Sequence, residues 1–223
     1  MNQYHNKLQR ALKGRIFIYI DAANLERSVQ DMWVDPKDVA EPFGAYAATD
    51  LRYRVDYEKL QKFFAGVANL QDTKFYSAEF ATPGHQKFLW FLKKVLKFSL
   101  ATKPLKEYDD HTAERPHRKA NFDVEIAVDA VFHLDDYDTL VLFSGDCDFE
   151  YLLKFLRGRG KLAIVFSRAG HIAKELPPAS SYYFDIVDFR HEFLNMTPKK
   201  AKNPAWKRDS AVNTRMTLLP IVI

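Results

Sequence analysis

The chain has 223 residues, of which 47% are hydrophobic and 28% are charged, and it carries a formal net charge of +4. This is the composition of an ordinary globular protein, and a single cysteine, Cys147, excludes an intramolecular disulfide and a cysteine-rich zinc site. No apolar run approaches the roughly 20 residues of a membrane-spanning helix. The apolar run IFIYI after the basic N-terminus stops at Asp21, too early for a secretory signal. We therefore expect a cytoplasmic protein with no membrane partner.

The charge is unevenly distributed along the chain. Residues 1–15 hold basic side chains and no acidic one, and residues 196–223 hold several lysines and arginines against the single acid Asp209, so the body between them is acidic overall. These ends are either solvated tails or a means of holding a polyanion against an acidic body. The pattern predicts a basic N-terminal extension over 1–14, one domain over 15–195 and a basic C-terminal tail over 196–223.

Strands and helices are expected to alternate from the first strand onward. Residues 15–20 predict a buried strand that ends at Asp21 and is followed by a turn or short helix. Residues 34–55 show no clean periodicity and predict a long loop. Asp56 has the chemistry of an N-cap, and the apolar spacing after it predicts a helix to about residue 70.

The same alternation continues to the end of the predicted domain. Further strands are predicted at 73–80, 101–108, 138–146, 161–167 and 182–189, and further helices at 88–96, 123–134, 149–157 and 169–178. Pro104 places the strand that contains it at or near an edge. The strands are short apolar runs without alternation, which is typical of strands buried on both faces. The chain therefore predicts an α/β fold with an open, mainly parallel sheet and helices on both faces.

Acidic side chains cluster where this architecture binds ligands, outside the carboxyl ends of the strands. Asp21 follows the first strand directly, and Ser144, Asp146 and Asp148 come at the carboxyl end of the strand predicted over 138–146. Asp123 begins the helix that precedes this strand. Carboxylates brought together repel one another, and a divalent cation is the usual remedy.

A helical wheel divides the residues of the helix that begins at Asp123. It places Asp123 within the limits of a wide apolar face and turns Asp129 and Glu125 to the other side. The residues of that predicted face are Val124, Ile126, Ala127, Val128, Ala130 and Val131. A carboxylate on the buried side of a helix needs a partner, because an unpaired buried charge is costly.

Hard oxygen ligands favour Mg²⁺ or Mn²⁺, which often keep waters and substrate phosphates in their coordination shell. Such an ion lowers the pKa of a bound water and stabilises the leaving oxygen of a phosphodiester. The spacing therefore predicts a metal-dependent phosphodiesterase. Taken one by one, the same residues have structural alternatives: Asp21 as a helix cap, Asp146 and Asp148 as turn residues, and Asn24 as a support of the turn after the first strand.

Three segments resemble the NYN domain family, in its LabA-like branch, which is related to the PIN-domain nucleases. They are YIDAANL (19–25), KANFDVEIAVDAV (119–131) and LFSGDCDFEYLL (142–153). The resemblance implies a PIN-like fold and Mg²⁺- or Mn²⁺-dependent cleavage of RNA. By position it implies Asp21, Asp123, Asp146 and Asp148 as catalytic metal-binding acids, with Asn24, Ser144 and Lys119 in supporting or substrate-binding roles.

Asp129 also matches a recurrent acid of this family, but it ranks lower because the helical wheel turns it away from the inward face. Two positions depart from the family pattern. Ala22 stands where a glycine is usual after the first aspartate, and Lys119 lies four residues before Asp123 without the usual glycine.

The leading hypothesis is thus a metal-dependent ribonuclease that acts on RNA, most simply single-stranded RNA. The alternative is a non-catalytic NYN-type regulatory module that binds RNA or protein through the same surface. A homodimer is compatible with both hypotheses. A phosphatase of the haloacid dehalogenase type is disfavoured, since it needs Asp-x-Asp after the first strand and this chain has Asp21-Ala22-Ala23.

Other chemically versatile residues receive mainly structural interpretations. We expect His111 and His117 to be solvated loop residues, and Cys147 to fill a tight turn rather than act as a nucleophile. Aromatic residues near loops are the candidates for stacking on nucleic-acid bases. These candidates are Tyr46, Phe80 and Tyr108.

Overall fold

The computed structural model describes residues 3–104, 106–108 and 117–199. Its helices are α1 (Gln3–Ala11), α2 (Ala22–Gln30), α3 (Tyr57–Val67), α4 (Pro83–Lys94), α5 (Asp123–Phe132), α6 (Glu150–Gly158), α7 (Leu176–Ala179) and α8 (Arg190–Phe193). Its strands are β1 (Arg15–Asp21), β2 (Leu51–Val55), β3 (Asn69–Glu79), β4 (Ser99–Pro104), β5 (Lys106–Tyr108), β6 (His117–Lys119), β7 (Thr139–Phe143), β8 (Leu162–Ser167), β9 (Tyr182–Asp185) and β10 (Leu194–Pro198).

Six strands form a parallel sheet in the order β4-β3-β1-β7-β8-β9. The chain builds outward from β1 to β4 on one side and then crosses to build β7 to β9 on the other. The boundary between β1 and β7 is therefore the point where the strand order reverses, and open sheets of this kind bind ligands there. The predicted α/β fold with a parallel sheet is confirmed, and Pro104 ends an edge strand as expected.

Helices cover both faces of the sheet because alternate residues of its central strands point to opposite sides. Ile18 of β1 belongs to the core beneath α1, α2 and α3, whereas Tyr19 belongs to the core beneath α5 and α6. Both side chains are fully buried. The uninterrupted apolar sequence of β1 thus reflects a strand that is covered twice.

The segment from 34 to 55, predicted as a long loop, contains a strand. Residues Leu51–Val55 pair antiparallel with Leu194–Pro198 in a separate two-stranded sheet. The prediction failed here because a five-residue strand gives little periodicity and its partner lies far away in sequence. Asp56 follows this strand and caps α3 as predicted, accepting a hydrogen bond from the Lys59 backbone N–H at 2.9 Å.

Two other predicted elements are shorter in the structure. Of the helix expected over 169–178, only the turn Leu176–Ala179 forms, with Pro177 and Pro178 in the first turn, where proline is tolerated. The last strand ends at Asp185, whose side chain accepts from the Val187 backbone N–H and turns the chain into a 3₁₀ helix.

The two segments predicted as basic ends contribute regular structure to the domain. Leu8 and Ala11 of α1 are fully buried in the core beneath α2 and α3. At the other end, β10 crosses the predicted boundary at residue 195. Residues 200–223 of the predicted tail lie outside the described residues. Within the described ranges, no helix is long and apolar enough to span a membrane.

Candidate metal centre at the carboxyl edge of the sheet

Ser144 joins the ends of the two strands at the reversal point. It follows β7 directly, and its hydroxyl donates a hydrogen bond to Asp21 Oδ2, at the end of β1, over 3.1 Å. The same hydroxyl oxygen accepts from the backbone N–H of Asp146 at 3.3 Å. Ser144 is buried, so this bridge is shielded from water. The parallel pairing of β1 with β7 therefore brings Asp21 and Asp146 to one place.

Asn24 adds a second link between the same two loops. Its side-chain oxygen accepts a hydrogen bond from the Gly145 backbone N–H at 2.8 Å. Its own backbone N–H donates to Asp21 Oδ1 at 3.3 Å, so Asp21 caps α2 while facing the loop after β7. The structural alternative for Asp21 is thus correct, and it coexists with a place in the acidic cluster. Ala22 begins the helix itself, where an ordinary helical backbone needs no glycine.

A tight turn follows Ser144 and presents further carboxylates. Asp146 Oδ1 accepts from the Asp148 backbone N–H at 3.2 Å and caps the 3₁₀ turn Cys147–Phe149. Within the described part of the chain, the group whose metal-ligating atoms all lie within 4.8 Å of one another is Asp146, Cys147 and Asp148. Asp21 and Asp123 are not members of that tight group. Asp21 lies at the end of β1 and Asp123 at the start of α5, and the charge of Asp146 acts on both of their carboxylates.

The pKa of Asp123 reports this convergence electrostatically. Burial, followed by the negative charges of Asp146, Asp148 and Asp21, raises the pKa of Asp123 to about 6, against an opposing hydrogen bond from Asn121. Burial also raises the pKa of Asp21, and Asp146 adds to that increase. Asp21, which lies more than a hundred residues before the other three acids in sequence, therefore interacts electrostatically with them in the fold.

No protein cation offsets this charge in the part of the chain that the structure describes. Ion pairs to lysine or arginine there involve other carboxylates, and none involves the four acids. A cluster of carboxylate and hydroxyl oxygens without histidine is the donor set that Mg²⁺ or Mn²⁺ prefers. The residues present thus fit a divalent cation of this type. The nearby thiol does not, since desolvation and the charges of Asp146 and Asp148 raise the pKa of Cys147.

Asp129 occupies a different environment. Its Oδ2 atom lies 2.7 Å from Lys74 Nζ and accepts a hydrogen bond from the Tyr76 hydroxyl at 2.9 Å, both on β3. Its side chain is 23% exposed, so the wheel was wrong to turn it away from the sheet. Glu125, placed on the same side by the wheel, pairs with Lys103 of the edge strand at 2.7 Å. Both acids are neutralised by lysines.

The predicted apolar face of α5 was also wrong. Ile126 and Ala130 are fully buried, while Val124, Val128 and Val131 are exposed. The helix contacts the sheet along a narrow stripe at a spacing of four residues, so its valines point outward. Hydropathy did not show this, because α5 packs partly on polar side chains of β3, where Asp129 contacts Lys74 and Tyr76.

The remaining predicted residues are placed as follows. The backbone of Lys119 lies in β6, and its side chain is outside what the structure describes, as are the side chains of His117 and Tyr108. His111 lies outside the described residues. Tyr46 and Phe80 are partly exposed, and the Phe80 ring packs edge-on against His85.

The exposed aromatic residues Trp33 and Tyr151 were missed by the sequence analysis. Trp33 lies just beyond α2, and Tyr151 lies one turn after Asp148 on α6. The signal that could have found them is their position in the sequence. Trp33 comes after the helix that Asp21 caps, and Tyr151 comes after the turn that carries Asp146 and Asp148.

Three comparisons with known proteins agree with this architecture. A family model described as the NYN domain matches residues 15–188. The protein "Low amplitude and bright protein LabA" of Synechococcus elongatus is 30% identical over 190 residues, covering 83% of this chain and 90% of that protein. A crystal structure of a protein of unknown function from Vibrio parahaemolyticus has a TM-score of 0.61 at 21% identity, covering 87% of this chain and 100% of its own.

The Vibrio structure supports the fold alone, because its sequence identity is low. The family model covers the strand that ends at Asp21, the helix of Asp123 and the turn of Asp146, which are the segments that carried the predicted resemblance. That resemblance is confirmed: the chain belongs to the NYN domain family and is similar to LabA within it.

Proposed function

We propose that this protein is a divalent-metal-dependent ribonuclease that hydrolyses RNA phosphodiester bonds at the cluster of Asp21, Asp123, Asp146 and Asp148. The observation that carries the proposal is the gathering of these acids at the strand-order reversal without a lysine or arginine partner among the described residues. The family to which the chain belongs is related to the PIN-domain nucleases, which supports the same conclusion.

Each residue has a defined part in the proposed site. Asp146 and Asp148 offer closely spaced carboxylates for the cation, and Asp21 and Asp123 enclose it from the neighbouring elements. Ser144 and Asn24 are positioning residues, since they fix Asp21 and the Gly145 backbone rather than face a substrate. A bound Mg²⁺ or Mn²⁺ supplies a water of lowered pKa and neutralises charge on the phosphate. Lys119 is proposed to support substrate binding beside Asp123.

An RNA substrate is supported by charge as well as by family. An acidic body repels a polyanion unless a cation or the basic ends of the chain offset that repulsion, and the acidic cluster provides a place for such a cation. The basic residues near the two ends of the chain add attraction for phosphate. Single-stranded RNA is the simplest substrate, because its backbone can bend toward an open edge of a sheet.

The decisive experiment compares the purified wild-type chain with Asp146→Asn on a labelled single-stranded RNA, with Mn²⁺, with Mg²⁺ and with EDTA. We expect cleavage by the wild type with a divalent cation, none in EDTA, and loss of about 100-fold or more in rate for the variant at an unchanged fold. Asp135→Asn, a substitution in the turn before β7, is the matched control. Equal cleavage by Asp146→Asn would contradict the proposal.

The same assay separates the alternative, a non-catalytic module that binds RNA or protein. It is favoured by one observation: Asp21 and Asp146 each cap a helical turn, so these acids have a structural use without any catalysis. If the chain binds RNA in EDTA and does not cleave it with either Mn²⁺ or Mg²⁺, the result selects this alternative.

A further inference from the structure

A second feature of the carboxyl edge is a cavity of about 440 Å³ that none of the four acids of the cluster lines. It lies where β8 and β9 end: Arg168 follows β8, and Asp185 is the last residue of β9. On the other side it is lined by Trp33 and Asp35, from the segment after α2. Its remaining lining residues are Met32, Ala169, Val187 and Arg190. This volume suits one nucleotide or another small planar ligand.

The cavity and the acidic cluster share structural elements. Helix α2 begins at Asp21, and the backbone carbonyl of Asp31 just after it accepts a hydrogen bond from Arg168 at 2.7 Å. On the other side, the backbone of His171 approaches Gly145, and Ala173 N–H donates to the Gly145 carbonyl at 2.9 Å. The two sites are thus connected by α2 on one side and by the segment after β8 on the other.

Trp33 gives the cavity an aromatic surface. The side chain is 71% exposed although it lines the cavity, so a large part of its indole is accessible to a ligand. An exposed indole can stack on a base without first being displaced from other protein contacts. Stacking of this kind is favourable for every base. If Trp33 had only a structural role, its indole would be buried against the domain, as many other aromatic side chains are.

The polar groups of the cavity suit the edge of a base better than a phosphate. The guanidinium of Arg168 is held by the Asp31 carbonyl and the His171 ring through its Nη atoms, while its Nε–H is buried. Arg190 is already neutralised by Asp38. Since Asp35 and Asp185 add two negative charges, the cavity has no excess positive charge with which to hold a phosphate.

A base edge, by contrast, presents donors and acceptors together. The carboxylate oxygens of Asp185 accept backbone hydrogen bonds from Ala169 and Val187, which fixes them at the cavity wall. Each oxygen retains a lone pair for an amino or imino group of a base. The Nη atoms of Arg168 carry N–H donors beyond their contacts with Asp31 and His171, and arginine commonly pairs such donors with a ring nitrogen or exocyclic oxygen of a base.

We infer that the cavity lined by Trp33, Arg168 and Asp185 binds one base of a single-stranded RNA whose backbone continues to the acidic cluster. The inference rests on the proposed function for its substrate class. It adds a place that holds the RNA at a distance from the phosphodiester bond that is cleaved. The base stacks on Trp33, its edge meets Arg168 and Asp185, and its phosphates stay outside along the edge of the sheet.

The test measures binding without cleavage, so that it does not depend on catalysis. Asp146→Asn is titrated in EDTA with fluorescein-labelled RNA hexamers, and the dissociation constant is compared with those of the double variants that add Trp33→Ala or Trp90→Ala. Trp90 is a matched control, since it is also an exposed tryptophan and lies on α4, outside the cavity. We expect Trp33→Ala to weaken binding by about 10-fold or more and Trp90→Ala to leave it unchanged.

Two further variants keep the result interpretable. Trp33→Tyr retains an aromatic face and should retain most of the affinity, which a merely structural role of the indole would not require. In a chain with Trp90→Phe and Trp206→Phe, Trp33 is the only tryptophan left, and the hexamer should quench its fluorescence. If the Trp33→Ala and Trp90→Ala variants differ in melting temperature, their affinities are hard to compare. The quenching measurement then decides the question, because it keeps Trp33 in place.

The outcomes distinguish this inference from the proposed function. Equal hexamer affinity of the Trp33→Ala and Trp90→Ala variants, or absence of any quenching, would overturn the base-binding cavity while leaving ribonuclease activity untouched. Tighter binding of free 5′-mononucleotides than of hexamers would also overturn it, because the cavity would then serve a free nucleotide. Loss of cleavage in Asp146→Asn with intact Trp33-dependent binding would support both.

Discussion

The hydroxyl of Ser144 donates to the carboxylate of Asp21 and accepts from the backbone N–H of Asp146, so one buried oxygen connects two acidic residues that lie 125 positions apart in the chain. This bridge exists because β1 and β7 are parallel neighbours that end at the same edge. It sets the position of Asp21 relative to the turn that carries Asp146 and Asp148. The geometry of the acidic cluster therefore depends on the sheet, and the proposed metal binding can be tested separately from this structural role.

Divalent cations should stabilise the folded chain through the acidic cluster. A ligand that binds only the native state adds about 2.7 kcal/mol to the free energy of unfolding when its free concentration is about 100 times the dissociation constant. We expect Mn²⁺ to raise the melting temperature of the wild type and to have little effect on Asp146→Asn. Differential scanning fluorimetry with Mn²⁺, Mg²⁺ and EDTA measures this. An equal increase for both chains would place the bound ion elsewhere.

The acidic cluster should oppose folding at neutral pH when no metal is present. The pKa of Asp123 is about 6 in the folded chain, above that of an ordinary aspartate, so its ionisation costs stability as the pH rises from about 4 through about 6. Asp123→Asn removes that cost. In EDTA the variant should therefore melt at a higher temperature than the wild type near pH 8, and the difference should shrink near pH 4.

The control for this prediction is Asp135→Asn, which removes a carboxylate from the turn before β7, at the opposite edge of the sheet. Its melting temperature should follow that of the wild type across the same pH range. A lower melting temperature of Asp123→Asn near pH 8 would show that the Asp123 carboxylate stabilises the metal-free fold, contrary to the burial and repulsion that raise its pKa.

Asp129 should behave as a structural residue. Asp129→Ala removes the partner of Lys74 and the acceptor of the Tyr76 hydroxyl, so we expect unfolding to become easier by about 1–3 kcal/mol. Urea denaturation measures the change. Glu58→Ala, which removes an exposed pair with Lys62 on α3, should cost no more than about 0.5 kcal/mol. If Asp129→Ala abolished the Mn²⁺-induced stabilisation while leaving stability in EDTA intact, Asp129 would belong to the metal site.

Gly145 should tolerate no larger side chain. A Cβ atom there would lie 2.5 Å from the His171 carbonyl oxygen and 2.6 Å from Ser167 Oγ, so Gly145→Ala must push the loop off Asn24. We expect a loss of about 1–3 kcal/mol in the free energy of unfolding, together with weaker Mn²⁺ binding. Gly66→Ala is the opposite control, because nothing lies within 4 Å of its added atom on α3, and alanine should stabilise that helix by about 0.5–1 kcal/mol.

The periodicity of the chain was sufficient to predict the alternation of elements and the parallel sheet. Uninterrupted apolar strands such as β1 and β7 leave a double-sided sheet as the stable arrangement, and Asp56 and Pro104 mark a helix start and an edge strand correctly. The five-residue strand β2 was missed because its pairing with β10 is made across the whole chain. The hydrophobic pattern within a short segment does not indicate which distant segment it pairs with.

The sequence by itself determined which oxygen-bearing residues follow β1 and β7, since strand ends can be recognised from where apolar runs stop. Only the tertiary structure decided how these residues are used. A helical wheel assumes one broad buried face, whereas α5 touches the sheet along a stripe at Ile126 and Ala130, which buries Asp129 against Lys74 and exposes the valines. The cavity at Trp33 was likewise unpredictable, because its walls come from segments more than 130 residues apart that meet only when the strands pack side by side.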